Sequence, residues 1–335
     1  MRAGLVTSHR RFELVDMPTP QADEGLAVVD IALCGVCGTD LHGFLGHTPY
    51  NPAICGHDWT GTVSATGVGV RNVSDGDRVV VGIRPACGRC PQCVAGQSAW
   101  CMTSFMGMVG RDPAAPKHGG FAPQLAIDAG RLIAVTANIS DVQAAIVEPA
   151  TVCLHAMRRT PIRPGDRVAV VGAGPIGLLT AQLARVSGAG HVTVIEPTEA
   201  RRALALSIGA DTAAKPGEVD RAEFDIVFEC AGVPQTIQAG VDLVRRGGTV
   251  TMVGFASGEA TIQPAGWLTK EVTVITSLGY LHHEFAQTMD LIADGRIRTE
   301  PLHTATVGLS ELPVVIERLA DDPTSAVKVL VDPSR

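Results

Sequence analysis

Nine cysteines give this 335-residue chain its most reactive side chains, and four of them stand together. Cys87, Cys90, Cys93 and Cys101 follow the spacing C-x2-C-x2-C-x7-C, which can wrap four thiolates around one zinc ion without help from distant chain. Zinc settles into tetrahedral sulfur coordination, and the intervening Gly88, Pro91 and Gly96 let the backbone curl back on itself. The expectation is a closed structural metal site in a lobe over residues 87–101, folded by its metal. Disulfides are the competing reading, and they need an oxidising compartment. Met1 to Pro20 carries arginines and acidic residues and no continuous apolar core, so a cytoplasmic chain with reduced thiols is expected.

A second pattern concerns phosphate. The apolar run Val168–Val171 leads into Gly172-Ala-Gly174-Pro175-Ile176-Gly177, a G-x-G-x-x-G placed between a strand and a helix. In that context Gly172 serves a tight turn, Gly174 permits close approach to a pyrophosphate, and Gly177 allows helix and strand to pack. Twenty-four residues after Gly172, Glu196 ends the next strand, placed to accept hydrogen bonds from ribose hydroxyls. Its charge repels a 2′-phosphate, so NAD is favoured over NADP, with Arg201 and Arg202 as the groups that could receive such a phosphate.

Three more candidates are scattered: Cys37 in Cys34-Gly-Val-Cys37-Gly-Thr39-Asp40-Leu-His42, His57 in Gly56-His57-Asp58, and Glu148 in Val-Glu148-Pro149. Each is ordinary alone. Beside a four-cysteine cluster and a dinucleotide motif, the set resembles the zinc-dependent medium-chain dehydrogenase/reductase (alcohol dehydrogenase) superfamily, over essentially the whole chain. Val147-Glu148-Pro149 and Ile195-Glu196-Pro197 look most like the sorbitol and butanediol dehydrogenase branch. The resemblance implies a catalytic zinc held by Cys37, His57 and a carboxylate, hence two zinc ions per chain. Asp58 replaces the glutamate usual after the histidine, and its shorter reach favours Glu148 over Asp58 as third ligand. The resemblance also implies a proton path through the Thr39 hydroxyl, the cofactor ribose and His42. Such a path is needed because hydride departure from a neutral alcohol leaves a protonated carbonyl, so the hydroxyl proton must leave before or with it. Leu45, His47, Tyr50, Trp59 and Phe121 are candidate pocket residues, and Cys34 and Cys55 are read as small buried side chains.

The elements that must position these groups fall into two textures. Short β-branched runs such as Leu26 to Ala32, Gly61 to Ala65 and Asp77 to Val81 mark the first part of the chain as β-rich, and the resemblance implies that residues 1–152 form a GroES-like zinc-binding catalytic domain. Residues 153–280 alternate strand and helix, which predicts a doubly wound parallel sheet, and residues 281–335 are expected to return to the first domain. The overall expectation is an α/β protein with its substrate cleft between a Rossmann domain and the β-rich one. With 46% hydrophobic and 18% charged residues the chain can fill two cores, and no apolar run approaches the roughly 18 residues of a membrane span. A net charge of −7 excludes a nucleic-acid partner. The expected partners are a small alcohol or ketone and further copies of the chain in a homodimer or homotetramer. The expected reaction is reversible oxidation of a secondary hydroxyl on a polyol, diol, cyclitol or sugar-like molecule. Rival readings are oxidation of an amino alcohol such as threonine and, from another class, a non-enzymatic cofactor-binding structural or regulatory protein.

Overall fold

The computed structural model describes residues 1–48, 50–112 and 115–335. They divide into two compact units, Met1–Glu148 with Tyr280–Ala293 and His303–Arg335, and Pro149–Gly279 with Asp294–Leu302. The first division falls four residues before the expected 152/153 boundary. Residues 294–302, expected in the C-terminal return, group with the second unit instead. The reason is local: Arg298 N–H donates to Gln182 Oε1 at 2.8 Å, and Gln182 Nε2 donates to the Arg298 carbonyl at 3.2 Å.

The first unit opens with an antiparallel hairpin, β1 (Arg2–Ser8) and β2 (Arg11–Asp16). A larger sheet follows, made of β3 (Leu26–Gly35), β4 (Asp58–Thr66), β5 (Arg78–Val81), β6 (Gln124–Asp128) and β7 (Leu132–Ala134). β3 pairs antiparallel with both β4 and β6, β4 with β5, and β5 with β7. Val29, Ile31, Val63, Val79, Leu125 and Ile127 meet in one apolar cluster. Each such side chain contributes about 1.5–3 kcal/mol by leaving water, which holds the loops between strands in fixed places.

The second unit carries β8 (Arg167–Val171), β9 (His191–Ile195), β10 (Thr212–Ala214), β11 (Phe224–Glu229), β12 (Val244–Met252) and β13 (Thr273–Thr276). They form one parallel sheet in the order β10-β9-β8-β11-β12-β13, the doubly wound arrangement that reverses beside its first strand. Val168, Ala169 and Val170 have no exposed surface, as expected for a strand whose two faces both pack against helices. Crossover helices at Pro175–Val186, Glu199–Ser207 and Pro234–Leu243 supply that cover.

Two late strands complete the first unit. β14 (His303–Gly308) and β15 (Lys328–Asp332) are parallel and joined through the helix Leu312–Asp321. β15 then pairs antiparallel with the end of β3, Leu330 opposite Gly35 and Val331 opposite Cys34. Because Gly35 also faces Asp58 across β3 and β4, the start of β15 arrives beside the His57–Asp58 turn. Among the described residues no helix is long and apolar enough to cross a membrane.

Candidate active site and metal centres

Cys37 lies two residues past the end of β3 and caps the helix Gly38–Phe44 with an extended backbone. Asp40, three residues into that turn, is 4% exposed and spends both oxygens on backbone. Its Oδ2 accepts the Cys37 N–H and its Oδ1 the Gly56 N–H, each at 2.9 Å. One buried carboxylate therefore ties the Cys37 turn to the His57 turn. His57 Nδ1 lies 2.8 Å from the Ile54 carbonyl oxygen. A carbonyl only accepts, so Nδ1 holds the proton and Nε2 keeps its lone pair for other work.

That lone pair has company. Ligand atoms of Cys37, His57 and Asp58 lie within 4.8 Å of one another. Asp58 is fully buried; its Oδ2 is 2.5 Å from Lys328 Nζ, while Oδ1 has no hydrogen-bond partner and stands 3.5 Å from His57 Nε2. Lys328, 2% exposed, also donates to the Val36 carbonyl at 3.0 Å. Burial pushes the Asp58 carboxyl up, but the Lys328 ammonium and the His57 ring outweigh it and hold it below the usual range. Burial opposes the Lys328 charge, and Asp58 more than restores it, so its pKa is raised. Glu148, in the first turn of the helix Val147–Arg159, stands against Asp58 and is pushed up to about 8 by burial and then by the Asp58 charge. The buried Tyr280 hydroxyl abuts the same carboxyl. The geometry thus brings Asp58 into the cluster and leaves Glu148 beside it, the reverse of the order expected from side-chain length.

An orphaned, buried carboxylate oxygen next to a thiol and an imidazole lone pair is a donor set that fits zinc. The four-cysteine cluster fits as well. Its sulfurs lie within 4.8 Å of one another, and around tetrahedral zinc they would sit about 3.8 Å apart. Cys87 N–H points at Cys101 Sγ at 3.3 Å, and Cys90 N–H at Cys87 Sγ at 3.4 Å. Although burial opposes the charge, the backbone N–H groups of Cys87 and Ser104 bring the Cys101 thiol down to about 5, the thiolate form a metal needs.

Thr39 is exposed, its hydroxyl 3.8 Å from Cys37 Sγ. His42 is half-buried, its Nδ1 3.4 Å from His47 Nδ1. Burial, and secondarily the neighbouring His47, lowers the His42 pKa below 6.5. Of the candidate pocket residues, Trp59 and Phe121 are 2% and 1% exposed and belong to the apolar core. The Tyr50 hydroxyl accepts the Val6 N–H at 3.0 Å and faces inward, and Cys34 and Cys55 are buried thiols. Asp40, Lys328 and Tyr280 escaped the sequence reading. Lys328 alone left a trace there, as a lone charge within the apolar run Ala326 to Val331.

In the second unit, Gly172 has φ +96°, which side chains rarely adopt. A Cβ on Gly177 would lie 1.9 Å from the Gly172 carbonyl oxygen, so only glycine lets this helix start so close to the strand. A Cβ on Gly174 would meet open space, and Gly174 caps the helix Pro175–Val186 without any side-chain hydrogen bond. Open space ahead of an uncapped helix N-terminus fits a pyrophosphate. Pro175 occupies the first turn, and the Ile176 carbonyl accepts from the Cys153 thiol at 3.4 Å. Glu196, 4% exposed, accepts the Ala173 N–H at 2.8 Å with one oxygen and the Thr198 N–H at 2.9 Å with the other. Arg202 donates to the Glu196 and Pro197 carbonyls, and Arg201 is half-buried.

Comparison with known proteins identifies the two domain types. Residues 23–137 match the alcohol dehydrogenase GroES-like domain family, and residues 175–294 match the zinc-binding dehydrogenase family. The chain is 30% identical to (R,R)-butanediol dehydrogenase of Neisseria gonorrhoeae, covering 100% of both proteins. It is 28% identical to sorbitol dehydrogenase of Bacillus subtilis, over 100% of this chain and 98% of that one. A solved zinc-binding dehydrogenase from Sinorhizobium meliloti, bound to NADP, superimposes with a TM-score of 0.87 at 31% identity over 99% of each chain. The chain therefore belongs to the zinc-dependent medium-chain alcohol dehydrogenase family, in its sorbitol and butanediol dehydrogenase branch.

Proposed function

We propose that this protein oxidises a secondary hydroxyl of a polyol, diol, cyclitol or sugar-like molecule to the ketone, reversibly, with NAD as hydride acceptor. The observation that carries the reading is the cluster of Cys37, His57 and Asp58 with its unpartnered carboxylate oxygen. Zinc bound there supplies Lewis acidity, which makes a hydroxyl acidic near neutral pH. The chain's own residues do the rest. Asp40 fixes the two ligand-bearing turns, Lys328 fixes Asp58, Thr39 orients the substrate hydroxyl, and His42 receives its proton. A lowered pKa keeps His42 neutral, hence able to accept, at neutral pH. A second zinc in the four-cysteine lobe gives two per chain, and a dimer or tetramer in a reducing, cytoplasmic setting completes the reading.

NAD is preferred because Glu196 places a buried carboxylate at the end of β9, where a 2′-phosphate would need to sit. Arg202 is already committed to two carbonyls and offers that phosphate little. The test is to incubate zinc-loaded protein with NAD or NADP and sorbitol, 2,3-butanediol, myo-inositol or threonine, and to follow reduced nicotinamide by absorbance. Turnover of a diol or polyol with NAD is expected. Turnover of threonine alone, or of nothing, sinks the substrate class, and a preference for NADP sinks the Glu196 argument.

A further inference from the structure

His42 does not sit alone. Five residues on, past the end of the helix Gly38–Phe44, His47 turns back so that the two Nδ1 atoms are 3.4 Å apart and the ring centroids 5.5 Å apart at 56°. The local backbone builds this approach: the His47 N–H donates to the His42 carbonyl at 2.9 Å, and Gly46 makes the reversal at φ +70°. His42 is half-buried and His47 is exposed. An inner imidazole thus touches an outer one that meets solvent.

We propose that His47 is the outer station of a two-histidine proton relay, taking from His42 the proton that leaves the substrate hydroxyl and delivering it to water. The inference rests on the reading of His42 as proton acceptor and adds His47 to it. The transfer balances without any other reactant. As His42 gains a proton on Nε2, its Nδ1–H bond breaks and an Nδ1–H bond forms on His47, while His47 loses its Nε2 proton to water. Each ring ends in its other tautomer, and exchange with solvent resets it. No electron moves.

The surroundings favour outward transfer. Burial first, and the nearby His47 second, disfavour a charge on His42, so a proton there is driven on to the exposed ring. Ionisable groups packed near this turn include Arg10, whose N–H donates to the Phe44 carbonyl, Asp321 at the end of the helix Leu312–Asp321, His9 beside Gly46 and Tyr50 against Gly43. Arg10 and Asp321 pair with each other, which leaves His9, near Gly46, as a further exposed imidazole on the solvent side.

The experiment uses zinc-loaded enzyme with NAD and whichever of sorbitol and 2,3-butanediol is turned over, in stopped flow with a pH-indicator dye and dilute buffer. In His47→Gln, the proton should reach solvent about tenfold more slowly than in wild type below pH 7, with zinc content and KM unchanged. Added imidazole should restore most of the rate. His42→Ala should slow the same phase, and the double variant should be no slower than His42→Ala, because both act on one path. Wild-type proton release in His47→Gln, or a defect confined to KM, overturns the relay and makes His47 a pocket residue. If His42→Ala is itself unimpaired, the fault lies with the reading of His42. If His42→Ala is slow while His47→Gln is not, only the outer station is wrong.

Discussion

The buried pair of Asp58 and Lys328 is where one side chain bears most on the site. Each charge has left water, and each is tolerable only because the other is 2.5 Å away. Lys328→Met keeps the length and removes the charge, leaving Asp58 uncompensated among Cys37, His57 and Glu148. We expect a loss of about 3–5 kcal/mol in metal-free protein and a smaller loss with zinc present, since the cation then takes over part of the neutralising role. Thermal unfolding with and without zinc measures both, and a variant as stable as wild type in both states would refute the pair's importance. The pH window follows from the shifts. A depressed Asp58 contributes stability above the ordinary carboxylate range and loses it as pH falls through its lower folded value. A raised Lys328 contributes below its ordinary value and loses that as pH rises through the raised one. The pair should therefore hold from about pH 4 to about pH 10. Nothing in the sequence joins positions 58 and 328; strand pairing of β15 with β3 does, and pairing partners that far apart leave no local mark.

At the scale of the element, the glycine turn between β8 and the helix Pro175–Val186 separates a packing role from a binding role. Gly177→Ala drives a methyl into the Gly172 carbonyl, so the second unit should melt lower and bind cofactor weakly. Gly174→Ala points its methyl at open space, so melting should stay near wild type while affinity for NADH falls. Fluorescence titration with NADH beside thermal unfolding distinguishes the two, and equal behaviour of both variants would contradict the assignment. This element was legible in advance because a single short stretch carries all of its chemistry. β8 and β9 were legible from the apolar run Val168–Val171 before Gly172 and from the strand end at Ile195-Glu196-Pro197. β1, β2, β14 and β15 were not, since their alternation is partial and their partners are remote. The placement of Trp59 and Phe121 failed for a related reason: aromatic type does not say which face of a strand or loop looks inward.

At the scale of the molecule, both candidate metal centres belong to the first unit, yet they should answer differently to loss of a ligand. Cys37→Ala should keep the fold and one zinc and lose turnover, whereas Cys90→Ala should cost solubility, because binding free energy at a closed site is folding free energy. Elemental analysis with a melting curve decides it. A stoichiometry near one in wild type, unchanged by Cys37→Ala, would mean that the Cys37 cluster holds no metal.

Metal loading should also be visible as protons. Without zinc, Glu148 titrates at about 8 and is largely protonated at pH 7. A raised carboxyl binds its proton more tightly in the folded chain than in the unfolded one. Glu148 therefore contributes stability that is complete below about pH 4.5 and lost as pH climbs toward its folded value near 8. A divalent cation beside Asp58 reverses that preference and expels the proton. Calorimetric titration of metal-free protein with zinc, in two buffers of different ionisation enthalpy, should thus show protons released near pH 6.5 and fewer near pH 9. Glu148→Gln should release one fewer at the lower pH and should remove part of the alkaline destabilisation of the metal-free chain. A proton count independent of pH and of this substitution would mean that the Glu148 carboxyl does not sense the metal, and would leave Asp58 as the one carboxylate of the centre.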